Sequence, residues 1–398
     1  MTRRTLEHLA SPADPAQISG SPLDNVLQQP FLLGIFLPLQ NGAWSQSNYP
    51  RGTDWTYEYN RSLVQRADEL GFELGFGLSG WLPKGGHGGR QHYRENHLDP
   101  FIAAVGLVTA TRRMILAGTV HVLYRWHPLM LAKQLVTANH VANGRFGVNI
   151  VTGSSAAGAR MFGIDREEHD QRYRQADEFV RLMKDLWQGD DALTYDGTWK
   201  MDEAYISPRP RYGRPILLSA SSSAAGFDYG AEHSDIVFTS SPVGERFEPA
   251  IAVLPEHVEA IKSRARQRGR AVKVIINATV ITGPDDAAAQ AYYDAILNAA
   301  DEESLASFDR ENRASDSQAW VNHDPRARAV GGHIHVVGSW DAVADKLERL
   351  HQAGIDGVQL TFYDYLPEME LFATHIIPRL EAKGLRTPYA HDRYNGNI

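Results

Sequence analysis

Between residues 30 and 382 the chain repeatedly switches hydrophobic period, and that alternation limits the folds open to it more than any other feature. Short apolar runs of strand character lie at 30–39, 72–79, 112–122, 144–153, 215–220, 235–240, 272–281, 333–338 and 358–364. Segments with helical spacing separate them, including the long amphipathic stretch 166–187. Strands that alternate with helices require crossover connections, which make the sheet parallel and cover it with helices. The pattern reads as eight βα units, with HIHVVG (333–338) leading into a helix at 340–353. Eight units over about 350 residues predict an α/β fold, a (β/α)8 TIM barrel with insertions. A doubly wound open sheet is the alternative.

The expected organisation is a polar N-terminal arm (1–29), a single barrel domain (30–382) and a C-terminal tail (383–398). Excursions near 188–213 and a long irregular stretch near 283–330 are expected as lids or subunit contacts. An ordered arm would have to be tied down, for example on a partner subunit.

Composition narrows the function. Hydrophobic residues make up 43% and charged residues 22% of 398 positions, an ordinary globular balance. The net charge of −8 argues against a nucleic-acid surface. With no cysteine there is no disulfide, thiolate metal site or Cys nucleophile, which fits a reducing cytoplasm. No apolar run is long enough to span a bilayer, and the N-terminus has no apolar core of a secretory signal. The expected protein is cytoplasmic, with neither membrane nor nucleic acid as partner.

GRFGVNIVTG (144–153) raises a chemical question. Asn149 sits inside an apolar strand, where an amide costs free energy unless something hydrogen-bonds it. In a TIM barrel the active site lies at the C-terminal ends of the strands. Those ends carry Ser79, Thr119, His121, Asn149, Thr152, Gly153, Ser219 to Ser223, Thr239, Ser240, Thr361 and Asp364, whereas the N-terminal ends are largely apolar. SASSSAAG (219–226) places small hydroxyl residues at a helix start, where free N–H groups suit a phosphate. A plain serine N-cap is the other reading.

Two further patterns are decoys. Gly75-Phe76-Gly77-Leu78-Ser79-Gly80 matches G-x-G-x-x-G, but its glycines lie within a strand and no helix follows, so a dinucleotide fold is rejected. His333 and His335 are spaced to face the same way on a strand, as metal ligands do, but nothing enforces further ligands and no metal is expected. The aromatics Trp44, Trp55, Trp81, Tyr124 and Trp126 could wall a pocket for a planar ligand or simply pack loops.

GIFLPLQNGAW (34–44), WHPLMLAKQ (126–134), NGRFGVNIVTG (143–153), EHDQRYRQADEFVRLMKDLW (168–187), SASSSAAG (219–226) and VQLTFYDYLPEMELFATHIIPRL (358–380) resemble the bacterial-luciferase-like flavin monooxygenases. Within them the chain is most similar to the pyrimidine oxygenase and dimethyl sulfone monooxygenase branch. The resemblance spans about residues 31–382. It implies a homodimeric or homotetrameric enzyme that uses reduced FMN, supplied by a separate NAD(P)H:flavin reductase, and O2. A flavin peroxide at N5 or C4a would then oxygenate and cleave a small substrate. A cyclic-amide or pyrimidine-like C–N bond is the expected target, and a sulfone or sulfonate C–S bond the alternative.

The resemblance also implies roles for residues. Asn149 and Thr119 match positions at the flavin N5 edge and dioxygen; Thr152, Gly153, Tyr173, Ser222 and Ser223 match the phosphate and ribityl region, and Ser79 joins the cofactor set. Trp81, Tyr124, Arg125 and Trp126 fall where substrate should sit, in stretches that depart from both branches. Arg125 suits an anionic substrate group or is a solvated loop arginine. A deazaflavin-dependent reductase, a non-catalytic flavin binder and a metallohydrolase are the competing readings.

Overall fold

In a computed structural model, residues 4–153, 155–313 and 322–388 are described. In chain order the elements begin with α1 (Pro22–Leu27), β1 (Leu32–Phe36), α2 (Tyr57–Glu69), β2 (Leu74–Gly77), α3 (Pro100–Leu107), β3 (Ile115–His121), α4 (Pro128–Val141) and β4 (Phe146–Val151). Then come α5 (Ala156–Met161), α6 (His169–Gln188), a hairpin of β5 (Leu193–Asp196) and β6 (Lys200–Ala204), β7 (Ile216–Ala220), α7 (Ala224–His233), β8 (Ile236–Thr239) and α8 (Phe247–Gln267). The chain continues with β9 (Lys273–Gly283), α9 (Asp286–Asn298), α10 (Glu302–Arg313), β10 (Ile334–Ser339), α11 (Trp340–Gln352), β11 (Gly357–Thr361), α12 (Tyr365–His375) and α13 (Ile377–Ala382).

Eight parallel strands close a barrel in the order β1-β2-β3-β4-β7-β8-β9-β11. It is the expected TIM barrel, with one departure. HIHVVG is a ninth strand, β10, that pairs with β9 from Ala278 to Gly283, above the point where β8 leaves it at Ile276. An isolated apolar run looks the same in sequence whether it closes a barrel or extends one strand of it.

The stretch 283–330, expected to be irregular, is mostly the helices α9 and α10. Asp285 caps α9 by accepting from Ala288 N at 2.8 Å, and the Ala-rich run behind it favours a helix. Residues 314–321 of that stretch lie outside the described residues.

Side chains alternate in and out along each strand. Phe36, Phe76 and Phe238 stack across the interior with ring centroids 4.9 and 4.6 Å apart. Of the decoy glycines, Gly77 faces outward and lets α3 lie close: a Cβ there would sit 2.8 Å from Pro100 Cβ. Gly118 is tighter, with an added Cβ 2.6 Å from Phe101 Cα and from Pro100 O. Gly118→Ala must push backbone away, so it is expected to cost about 1–3 kcal/mol in urea unfolding.

The arm and the start of the tail dock on this chain's own barrel. Asp14 accepts from Arg214 at 2.5 Å and from Arg270 at 3.2 Å, and Arg4 pairs with Asp185 at 2.7 Å. Arg386 pairs with Glu73 at 2.6 Å and donates to Gly71 O at 2.7 Å. The described part of the arm thus has its fastening without a partner subunit.

Under the arm lies a buried relay. Lys184 Nζ is 3.1 Å from His233 Nδ1, and His233 Nε2 is 2.7 Å from Asp177. Burial, then Arg214 and Arg270, bring the Lys184 ammonium down to about 7. Its folded pKa lies below the unfolded value, so between pH 7 and the ordinary lysine range the unfolded chain binds more protons. Stability from this group therefore rises with pH there, at most by about 1.4 kcal/mol per pH unit. Urea titrations from pH 7 to 10 should show the rise in the wild type and lose it in Lys184→Met.

Candidate active site

Thr119 and Asn149 are register partners on β3 and β4 and both face into the barrel. The Thr119 hydroxyl donates to Gly77 O at 2.8 Å and accepts from Asn149 Nδ2 at 3.0 Å. That arrangement uses the amide nitrogen and leaves Asn149 Oδ1 buried without a protein partner. The fold therefore answers half of the question the strand raised and presents a hydrogen-bond acceptor to whatever binds. If the Thr119 hydroxyl turned toward Asn149, the amide could flip and present its N–H instead.

Two residues along β3, on the same face, His121 has its Nδ1 buried without a partner and its ring edge-on to Tyr124 at 4.9 Å. Burial, reinforced by His97, takes it down to about 4, so it is neutral at ordinary pH.

Strands β4 and β7 pair at Asn149 and Leu218, so the segments beyond their C-terminal ends leave the barrel side by side. One carries Thr152 and Gly153; the other carries Ser222 and Ser223. Gly153 has φ +84°, and its carbonyl accepts from Arg172. The neighbouring Tyr173 places its hydroxyl 2.7 Å from where a Cβ on Gly226 would be, in the first turn of α7. Ser223 caps α7, accepting from Gly226 N at 3.2 Å, and its hydroxyl lies 3.3 Å from His169. The Ser223 hydroxyl, the Tyr173 hydroxyl and the His169 ring thus converge on one helix N-terminus. Of the residues expected at the phosphate and ribityl region, Tyr173 and Ser223 meet at the first turn of α7, with Ser222 preceding the cap, whereas Thr152 and Gly153 line the cleft shared with Tyr124 and Arg172. Ser79 lies buried two residues beyond β2.

The residues expected at the substrate divide. Tyr124, Arg125, Trp126, Thr152, Gly153 and Arg172 share a cleft. Yet Arg125 donates to Phe162 O at 2.9 Å and Gly163 O at 3.2 Å, so its guanidinium fastens a loop. Trp126 packs on Phe101 of α3 at 6.3 Å. Trp81 is 40% exposed and meets Phe162 edge-on at 4.8 Å. Of the decoy histidines, His335 lies 3.2 Å from the Tyr293 hydroxyl, whereas His333 packs 5.3 Å from the Trp44 ring.

Of the ceiling of the site, sequence reasoning singled out Trp44 but missed Arg94, His87 and helix α10. Trp44 stacks on Phe36 at 3.6 Å, and Arg94 lies 4.8 Å over the Trp44 ring. His87 contacts Glu311 of α10 at 3.3 Å and the Phe308 ring at 4.9 Å; Arg328 covers that ring at 3.6 Å. The loop after β2 and helix α10 meet here only in three dimensions. The faint signal was the glycine-rich 85–89 run, whose positive φ angles shape the loop.

The profile of the family described as luciferase-like monooxygenase matches residues 32–357. The chain belongs to that family. A pyrimidine monooxygenase RutA from Pantoea ananatis is 29% identical over 360 residues, covering 88% of this chain and 96% of that protein. An FMNH2-dependent dimethylsulfone monooxygenase from Pseudomonas putida is 26% identical over 367 residues, covering 88% and 96%. Among solved structures, riboflavin lyase RcaE with modified FMN and riboflavin superposes with a TM-score of 0.77 at 23% identity, covering 90% and 93%. DmoA from Hyphomicrobium sulfonivorans gives 0.76 at 21%, covering 92% and 90%. Both structures share the fold. Within the described residues no helix is long and apolar enough to cross a membrane.

Proposed function

We propose that this chain is the oxygenating half of a two-component system: an FMNH2-dependent monooxygenase, served by a separate NAD(P)H:flavin reductase, acting on a small cyclic-amide or pyrimidine-like C–N bond. One observation carries the reading. Asn149 Oδ1 is a buried acceptor without a protein partner, pinned by Thr119 at the barrel mouth. A reduced flavin has ring N–H groups that complement such an acceptor.

The rest of the site fits the same group. Ser222, Ser223 and the N-terminal amides of α7 would hold its phosphate, with Tyr173 beside them. Thr152 and Gly153 would border the ribityl chain. When bound, FMNH2 supplies the two electrons that activate O2. The chain's own part is to orient and to exclude water: Phe36, Trp44 and Phe76 form an apolar wall, and Asn149 and Thr119 fix the reacting edge. The sulfone C–S reading draws support from the dimethylsulfone-acting relative, which matches the same share of the chain. By family likeness the working enzyme is a homodimer or homotetramer.

Anaerobic titration with FMNH2, followed by mixing with oxygenated buffer and uracil, simple lactams or dimethyl sulfone, tests this. Tight binding with substrate-dependent oxygen incorporation supports the proposal, and the product selects the bond. Weak binding with hydrogen peroxide alone points instead to the deazaflavin reductase or the non-catalytic binder. The phosphate assignment has its own test. Ser223→Ala is expected to weaken FMN by about tenfold, the worth of one charge-assisted hydrogen bond, and to leave riboflavin affinity unchanged.

A further inference from the structure

We propose that Arg94 receives an anionic group of the substrate, so that the molecule oxygenated at this barrel mouth carries a carboxylate or a comparable oxyanion. The inference rests on the mouth being the substrate site, as the proposed function holds.

Arg94 is half-buried on the loop after β2, with φ +64°, and is held by rings on two sides: Trp44 at 4.8 Å and Tyr93 at 5.1 Å. Its Nε is buried without a hydrogen-bond partner. Among the described residues no carboxylate lies within ion-pair distance of its guanidinium, whereas Arg66, Arg214, Arg349 and Arg386 all have one. A guanidinium seated on aromatic rings is fixed in place while its hydrogen-bonding edge stays available.

The surroundings add to the argument. A second buried guanidinium, Arg328, forms part of the same ceiling, where it covers Phe308 and donates to Gln46. His87, His97 and His333 feel the Arg94 charge, and burial is the larger reason that each stays neutral. Among the described residues Glu311 lies near enough to feel the Arg94 charge, and burial raises its pKa. Arg94 thus keeps a hydrogen-bonding edge that no described side chain fills, and an incoming anion would occupy it. The ceiling reaches the barrel interior through Arg94, Trp44, Phe36 and Phe76 in successive contact, and the next residue, Gly77, accepts from the Thr119 hydroxyl. Arg125, which the sequence offered either for this role or as a solvated loop arginine, is engaged with two carbonyls.

The test uses probes that differ by one anionic group: orotate against uracil, and methanesulfonate against dimethyl sulfone. Binding to the FMN-loaded full chain is read by calorimetry and by quenching of tryptophan emission. The charged member of at least one pair should bind about tenfold more tightly, and added NaCl should narrow the gap. Arg94→Gln should abolish the preference, Arg94→Lys should keep part of it, and FMN affinity should not change in either. Equal affinity within both pairs, or a preference that survives Arg94→Gln, overturns the inference. Failure of the wild type to bind FMNH2 would instead sink the proposed function, so the two failures are distinguishable.

Discussion

Asn149→Ala is expected to lower substrate oxygenation by two to three orders of magnitude, about what one preorganised hydrogen-bonding group contributes in an acyl-transfer site. FMN affinity should stay within a few-fold, because the phosphate contacts on α7 are untouched. The substitution removes the acceptor at the reacting edge but leaves Thr119 bonded to Gly77 O. It also removes an amide oxygen that has no protein partner, so the protein should lose little stability. Thr119→Val, nearly isosteric, releases the Asn149 amide without deleting it and should give a smaller loss. Rapid mixing of the FMNH2-loaded variants with O2 and substrate, with product quantified by mass spectrometry, reads both effects. Wild-type product formation by Asn149→Ala would remove Asn149 from the mechanism. A large loss of stability without loss of turnover per folded molecule would make it a structural residue.

The barrel was legible because a covered parallel sheet imposes a period switch at every strand–helix boundary. Asn149 was legible for a related reason: a polar side chain in a run that must be buried calls for a partner. Its neighbour Thr119 followed from position, since both lie near strand C-termini. What the sequence hid depends on distance in space. Nothing along the chain shows that β10 pairs above β8, or that Arg94 comes to rest over Trp44, 50 positions earlier in sequence. Arg125 was a candidate for an anion because it lies in a stretch where substrate should sit, with a solvated loop arginine as the other reading. The carbonyls of Phe162 and Gly163 that occupy it come from a helix end whose position only the fold supplies. The arm is fastened by ion pairs and by isolated apolar side chains such as Leu23 and Val26, too sparsely spaced to show as a hydrophobic pattern.

Those ion pairs carry the other large effect. Asp235→Ala should destabilise the chain by about 3–5 kcal/mol, the usual penalty for leaving a buried charge unpaired. Arg214 has no exposed side-chain surface. Asp235 accepts both of its terminal nitrogens at 2.8 Å and also the amide of Leu217 at 2.9 Å. Arginine cannot escape by losing its proton, as Lys184 can, so the uncompensated charge persists at every accessible pH. Asp235→Asn keeps one acceptor and the shape, and should cost less. Asp14→Ala should cost least, because Asp14 is partly exposed and Asp235 would still neutralise Arg214. Urea midpoints should therefore fall in the order wild type, Asp14→Ala, Asp235→Asn, Asp235→Ala. Turnover per folded molecule should be unchanged throughout, because this network lies at the N-terminal ends of β7 and β8, the stabilising face of the barrel. A larger loss for Asp14→Ala than for Asp235→Ala would mean that the arm, rather than the strand-borne carboxylate, holds Arg214 in place.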